Sequence, residues 1–179
     1  MNKKVITGMC RLSYAHLWEP NAIEGGTPKY SASLIISKDD TATIEKIKTA
    51  IKAAYEEGTN KLRGNSKNVP ALSSIMSPLH DGDLERPDDP AYANSYFVNA
   101  NSTSAPGIVD ASCQPIFDRN EVYSGCYGRA SINFYAFNVN GNRGIACGLN
   151  NIQKLKDGEP LGSKTRAEDD FADEEDFLN

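Results

Sequence analysis

The dipeptide Asn140-Gly141, with long alternating segments on both sides, constrains the fold more than any other feature of the chain. Asn-Gly is the preferred pair for a type I′ turn, which joins two antiparallel strands directly. The flanking segments, Tyr123 to Val139 and Arg143 to Leu155, are therefore predicted to form a β-hairpin. A turn centred on the dipeptide sets the register, so the numbers of facing residues sum to 281, as 140 and 141 do.

One face of the predicted hairpin is apolar throughout. Its cross-strand pairs are Phe134 with Cys147, Ala136 with Ile145, and Ile132 with Leu149. Because alternate residues of a strand point to the same side of a sheet, this face is predicted to belong to the core. The other face pairs Phe137 with Gly144, Tyr135 with Ala146 and Asn133 with Gly148. Large rings beside such small residues leave an open floor at strand level.

Aromatic rings and cations alternate along that second face. Its members are Tyr123, Tyr127, Arg129, Tyr135 and Phe137, with Arg143 at the turn. Nucleobases stack on rings for about 1–3 kcal/mol each and cations follow the phosphates, so the face is predicted to bind single-stranded nucleic acid. The same pattern is typical of rings packed beneath a helix or loop, with the small residues admitting another strand. A bulge at Gly125 or Gly128 would also exchange the faces of Tyr123 and Tyr127.

The rest of the chain predicts further strands and one helix. The predicted strands are Lys3 to Trp18, with Ile6, Cys10, Leu12 and Tyr14 on its apolar face, then Tyr30 to Ile36, Tyr96 to Ala100 and Gly107 to Val109. A helix is predicted from Asp39, Asp40 or Thr41 to about Glu57, with Gly58 as its stop. Thr59 to Asn94 is a polar, proline-rich connection without periodicity. The pattern favours a mainly β fold, a small barrel with one helix between its second and third strands.

Trp18 and Lys29 flank the first predicted loop, whose tip would close over a face of the barrel. Both are therefore candidates for contact with nucleic acid. For a lone tryptophan, a place in the core or at a hinge is the more common alternative.

Charge divides the chain into two parts, predicted as a folded domain of residues 1–162 and a tail of residues 163–179. Ala167 to Asn179 hold seven of the chain's 24 carboxylates and no base, which leaves 17 acids against 19 Lys and Arg elsewhere. A mildly basic body with an acidic end favours a nucleic-acid partner. The chain shows no signal peptide and no apolar run of membrane-spanning length, so we expect a cytoplasmic protein.

Enzyme and metal sites have weaker support. Asp81 and Asp83 lie in an acidic, proline-rich stretch that would suit a metal-dependent nuclease, but such crowded carboxylates are more often turn residues. Cysteines 10, 113, 126 and 147 contain no CxxC pair, and the two histidines complete no zinc set. We predict four reduced, partly buried thiols, no metal, no cofactor and no enzymatic activity.

Several motifs together resemble phage single-stranded DNA-binding proteins, a family first catalogued as a domain of unknown function. They are RLSYAHLWEP, PKYSASLIISKDD, the DGD at 81–83, PGIVD at 106–110, the block at 123–162 and the acidic tail. The resemblance spans nearly the whole chain. It implies an OB-fold barrel that coats single-stranded DNA without sequence preference, in a host cell's cytoplasm if the protein is phage-encoded, and a tail like those of replication single-strand binders.

The tail combines negative charge with flat rings, as single-stranded DNA does. Its candidate partner-binding residues are Phe171, Phe177, Asp169, Asp170, Asp173, Glu174, Glu175 and Asp176. We expect the tail to compete with DNA for the groove and, once displaced, to dock on replication or recombination proteins. A disordered solubilising tail is the simpler alternative. A nuclease or resolvase and a strand-annealing recombination mediator are the alternative functions, and the sequence leaves the oligomeric state open, a homodimer included.

Overall fold

The structure, a computed structural model, describes residues 3–22 and 26–161. Eight strands and three α-helices lie in this part of the chain. The strands are β1 (Lys4–Ile6), β2 (Cys10–Asn21), β3 (Lys29–Ser37), β4 (Leu79–Asp81), β5 (Ser95–Ser102), β6 (Gly107–Val109), β7 (Tyr127–Val139) and β8 (Asn142–Lys156). The helices are α1 (Thr41–Glu57), α2 (Thr59–Arg63) and α3 (Gly82–Glu85), and none is long and apolar enough to cross a membrane.

Five of the strands close into a barrel. Its hydrogen-bonded order is β7-β2-β3-β5-β8, and the pairing of β7 with β8 completes the ring. All neighbours in the ring are antiparallel except β5 and β8. β1 extends the sheet beside β7, β6 runs beside β8, and β4 pairs with β5. The predicted OB-type barrel is confirmed.

The helix predicted between the second and third barrel strands is α1, which connects β3 to β5. Asp40 caps its first turn, where the carboxylate accepts a hydrogen bond from the Thr43 amide at 3.2 Å. At the other end, the Gly58 amide donates to the carbonyls of the last turn. The isoleucines and alanines of one helix face are buried in the barrel core, as the 3.6-residue periodicity predicts.

The hairpin register is confirmed from the turn to Ile132, which pairs with Leu149. The apolar face lies in the core as predicted. Farther from the turn the pairing shifts, so that Ser131 faces Asn151 and Tyr127 faces Lys156. The extra residues belong to β8, and the outward faces of β7 are therefore not exchanged.

The first predicted strand is wrong in two places. The strand is interrupted between β1 and β2. Val5 in β1 is buried, while Ile6 is 41% exposed. The pairing of β2 with β3 shifts between Ser13 and His16, and Tyr14 there has a φ of +46°. Each irregularity resets the inside–outside alternation, so Ile6 and Tyr14 point outward instead of into the core.

The proline-rich connection from 59 to 94 is predicted to be a long loop, but it contains α2, β4 and α3. Its last part packs on the outside of the barrel. Tyr92 is fully buried there, edge-on to Phe97 with ring centroids 4.9 Å apart, and its hydroxyl donates to Ser33 Oγ at 3.0 Å. The segment therefore covers one end of the outer face of β3 and β5.

Candidate nucleic-acid interface

Small polar side chains form the outer face of β3 and β5 beyond Tyr92. Ser31 pairs with Asn101, and Asn99 pairs with Ser33, which is buried beneath the Tyr92 hydroxyl. The alternate residues of both strands are in the core. Because serine and asparagine are short, this part of the face is a shallow floor. Hydroxyl and amide groups can bond to sugars, phosphates or bases alike, so the floor carries no obvious sequence code.

Tyr14 stands at one side of this floor. Its positive φ belongs to the left-handed region, which a bulky residue in a strand rarely adopts, and its side chain is 55% exposed. The same irregularity brings His16 opposite Ser31. Strained conformations of this kind cluster at functional sites, and this one directs a ring onto the barrel surface.

Arg86 faces Tyr14 from the segment that follows α3. Its guanidinium carbon lies 5.2 Å from the centroid of the Tyr14 ring, and its Nη1 is 3.4 Å from the Tyr14 hydroxyl. The side chain therefore brings a cation to the edge of the polar floor.

These residues line a groove of about 720 Å³ on the outside of β2, β3 and β5. Lys29 and the described end of the β2–β3 loop, Gly26 and Thr27, form its other side. The groove continues through Lys29 and Asn101 into a cavity lined by Asn133, Tyr135 and Gly148 on the hairpin. Tyr135 in turn borders a depression that contains Lys3 and Lys61. The connected surface, from Arg86 to Lys61, is called the groove below.

Charge along the groove favours a polyanion. No carboxylate occurs among the described residues that line its central cavities, between Arg86 and Tyr135. Among the described residues, acids line the groove's surroundings at the ends, with Glu85, Asp88 and Asp89 beyond Arg86 and Glu57 beside Lys3. Lys3 and Glu57 form an ion pair at 2.7 Å, which leaves the charge of Lys61 at that end. Within the part of the chain that the structure describes, the polar floor is therefore bounded by negative charge only beyond Arg86.

Two of the residues predicted to bind DNA, Lys29 and Tyr135, lie in the groove. Tyr14 and Arg86 are not among the predicted residues. The tyrosine fits the apolar stripe of its strand, and only its backbone angle turns it outward. The arginine is remote in sequence, in a connection without periodicity, so no local pattern indicates its position.

Tyr123 and Tyr127 belong to a second surface at the far end of the hairpin. Lys154 Nζ lies 5.7 Å from the Tyr123 ring centroid, and Lys156 Nζ lies 4.8 Å from that of Tyr127. Arg11 is over the Tyr127 ring as well, at 5.5 Å. Burial raises the pKa of Tyr123, whose hydroxyl contacts Asp157 and Gly158. Neither tyrosine lines the groove, so the predicted aromatic face is divided between two surfaces.

The predicted arginines also separate. Arg129 is exposed on the outer face of β7, and its Nε donates to the Thr7 carbonyl at 3.0 Å. Arg143 donates to Ser66 Oγ at 3.1 Å, and its Nε is buried without a hydrogen-bond partner. Neither residue lines the groove.

The predicted open floor beside the aromatic residues is half correct. Gly148 lines the groove. Gly144, however, is covered by Met76, because a Cβ atom added to Gly144 would lie 2.6 Å from Met76. Gly144, which faces Phe137, therefore makes room for another stretch of chain, in agreement with the alternative interpretation of this pattern. Trp18 is half-buried against the core and donates from Nε1 to the Val122 carbonyl at 3.1 Å, which fits the alternative core position for this ring.

The acidic pair considered for a nuclease is held by a lysine. Lys38 Nζ lies 2.9 Å from Asp81 and 2.8 Å from Asp83, and these carboxylates hold the pKa of Lys38 above its ordinary value. Hydrogen bonds from Lys38 and from the Asn94 amide lower the pKa of Asp83. Asp81 also caps α3. Both carboxylates are thus engaged as turn and capping residues, and the described residues hold no group of three metal-ligating side chains.

Three of the four thiols are buried and one is exposed. Burial raises the pKa of Cys10 to about 12 and also raises the pKa values of Cys126 and Cys147. The prediction of partly buried thiols is wrong for Cys113, which lies on an exposed turn. The tail residues from Asp169 to Phe177 lie outside the described part of the chain.

Comparison with known proteins matches nearly the entire chain. A family model described as the single-stranded DNA-binding protein of Enterobacter phage Enc34 matches residues 3–178. The p50 protein of Acyrthosiphon pisum secondary endosymbiont phage 1 is 31% identical over an alignment of 178 positions, and the match covers 95% of this chain and 93% of that protein.

Solved structures show the same fold. A C-terminal truncation of the Enc34 protein has a TM-score of 0.74 and 27% identity, over 89% of this chain and 88% of its own. The Enc34 protein in complex with single-stranded DNA has a TM-score of 0.73 and 25% identity, over 89% and 90%. The descriptions of both Enc34 structures name single-stranded DNA binding, in agreement with the predicted binding protein.

Proposed function

This chain belongs to the family of the Enterobacter phage Enc34 single-stranded DNA-binding protein, and we propose that it coats single-stranded DNA without sequence preference along the groove from Arg86 to Lys61. The observation that carries the proposal is the groove's composition. Exposed rings, cations and short polar side chains line a path whose central part contains no described carboxylate.

Each component has a physical role in this proposal. Tyr14 and Tyr135 stand at opposite ends of the central path, 55% and 39% exposed, and offer their rings to unpaired bases. Lys29 lies where the two central cavities meet, so it reaches a phosphate wherever the strand crosses between them. A duplex hides its base faces within the stack, so it gains only the cations and not the rings.

The acidic residues beyond Arg86 limit the groove at one end. Glu85, Asp88 and Asp89 repel phosphates there, while Glu57 at the other end is neutralised by its ion pair with Lys3 and lies beside Lys61. A bound strand therefore leaves the groove at the Lys61 end.

The biological setting is the replication or recombination of phage DNA in the cytoplasm of the host cell, where single strands are exposed. The acidic tail competes with DNA for the groove and, once released, recruits replication or recombination proteins. What supports this part is the charge division, with seven acids and no base in residues 167–179 against a mildly basic remainder.

The test is a titration of oligo-dT, with a duplex of equal length as control, followed by fluorescence anisotropy. We expect strong preference for the single strand and similar affinity for mixed sequences. Tyr135→Ala should weaken binding by about 1–3 kcal/mol and leave cooperative unfolding intact. Phe117→Ala, which removes an exposed ring outside the groove, is the matched control. Equal affinity for duplex and single strand, or equal losses in both variants, would contradict the proposal.

A further inference from the structure

Arg86 covers three aromatic rings at once. Its guanidinium carbon is 5.2 Å from the ring centroid of Tyr14, 5.2 Å from that of Tyr92 and 5.3 Å from that of Phe97. Tyr92 and Phe97 are buried, and Tyr14 alone of the three is exposed. Of these rings, only Tyr14 can receive a nucleobase.

The guanidinium occupies the space that a base on this side of Tyr14 would need. Stacked flat groups lie about 3.5–4 Å apart, so a base between the ring and the guanidinium would require a separation of roughly 7 Å. The observed 5.2 Å is too short for such a sandwich. A base can therefore stack on this face only after the arginine has moved.

The contacts of Arg86 allow a short movement. Its amide is held by the Gly82 carbonyl at 2.9 Å, which fixes the backbone, while its hydrogen bond to the Tyr14 hydroxyl is long, at 3.4 Å. The buried rings of Tyr92 and Phe97 remain beneath the side chain when it leaves Tyr14. The guanidinium thus stays at the end of the groove, beside any phosphate attached to a base on Tyr14.

We propose that a nucleobase and Arg86 exchange places on Tyr14 when single-stranded DNA binds. In the free protein the arginine covers the ring, and in the complex the base takes the ring while the guanidinium pairs with an adjacent phosphate. This inference rests on the proposed function and adds the base-stacking residue and its partner.

Two substitutions separate the two halves of the exchange. Tyr14→Leu keeps bulk and removes the ring, so affinity for oligo-dT should fall about 5- to 150-fold with an unchanged dependence on salt. Arg86→Met keeps the stem and removes the charge, so the log–log salt slope should become shallower by about 0.7. Arg86→Lys retains the charge and should keep the wild-type slope. Thermal unfolding of each variant confirms that it is folded.

Stacking is measured through the fluorescence of 2-aminopurine, which is placed at each position of the oligonucleotide in turn. Two positions should be strongly quenched in the wild type and in Arg86→Met, one on Tyr14 and one on Tyr135, and only the first quenching should disappear in Tyr14→Leu. If Arg86 is only a structural cover, its removal lowers stability but leaves the salt slope unchanged, and the exchange is refuted. Quenching that survives at both positions in Tyr14→Leu would refute it too.

The wild-type protein distinguishes this failure from that of the proposed function. If oligo-dT is preferred over duplex and Lys29→Gln weakens binding, while Tyr14→Leu and Arg86→Met bind as the wild type does, the exchange alone is wrong. If the wild type shows no preference for single strands, the proposed function is wrong.

Discussion

Replacement of Lys29 by glutamine tests the electrostatic part of the groove directly. Lys29 lines both central cavities, and Arg86 is the other cation among their described residues. Glutamine keeps the length of the stem and a hydrogen-bond donor but removes the charge. If the lysine contacts one phosphate, the log–log salt slope should become shallower by about 0.7.

This slope has a measurable consequence. Between 50 and 200 mM salt, a slope difference of about 0.7 changes the ratio of wild-type to variant affinity by about 2.6-fold. The variant should therefore be clearly weaker at low salt and approach the wild type as salt rises. Fluorescence anisotropy with labelled oligo-dT over a salt series measures both quantities.

The control is Lys52→Gln, which removes the same charge from an exposed position on α1 outside the groove. It should leave the slope unchanged and alter affinity only slightly. If both variants lose the same affinity and slope, net charge and not the groove attracts DNA. A Lys29→Gln slope equal to that of the wild type would remove this lysine from the phosphate path.

Three further predictions concern the tail, the thiols and acid. Deletion of residues 167–179 should tighten binding to single-stranded DNA, most at low salt. If the tail occupies the groove, replacement of the two tail phenylalanines by alanine in the full chain should give part of the same gain. Unchanged affinity of the truncated protein at every salt concentration would exclude competition. Cys113 should react with a thiol reagent within minutes in the native protein, while the buried thiols, such as Cys10 with its pKa of about 12, should react only on unfolding. Rapid reaction of more than one thiol per molecule would contradict the described packing. The pKa of Asp83 is lowered in the folded state, so the ionised carboxylate stabilises the fold fully at pH values above the ordinary aspartate pKa of about 3.9. This stabilisation is lost as pH falls through the lowered pKa. The protection of the Asn94 amide, which donates to Asp83, should therefore fall in acid before that of the barrel strands, once each hydrogen-exchange rate is compared with the intrinsic rate at the same pH. A simultaneous loss of protection would refute this assignment.

The parts of the fold that the sequence predicts are those governed by local rules. Asn140-Gly141 determines a turn, and the turn determines the register of the hairpin as far as Ile132. Asp40 and Gly58 mark the ends of α1 because each satisfies backbone groups that a helix leaves unpaired. These features depend on residues close together in the chain.

The site is less predictable because it depends on backbone irregularities and on remote packing. Regular alternation along the first predicted strand assigns Tyr14 to the core. Its side chain points outward instead because its φ is positive. Arg86 reaches Tyr14 across 72 positions of sequence. Period-two alternation also places Tyr127 and Tyr135 on one face of β7, yet only Tyr135 borders the groove. Tyr127 and Tyr135 are eight residues apart on this 13-residue strand, so a shared face does not mean a shared site.

Photocrosslinking tests the central claim most directly, since it locates the bound strand. Oligo-dT containing 5-iodouracil, which crosslinks to aromatic residues in contact with the base, would be irradiated with the full chain and the modified residues identified by mass spectrometry. The groove predicts crosslinks at Tyr14 and Tyr135. Crosslinks confined to Tyr123 and Tyr127 would show that DNA follows the second aromatic surface and that the groove is not the binding site.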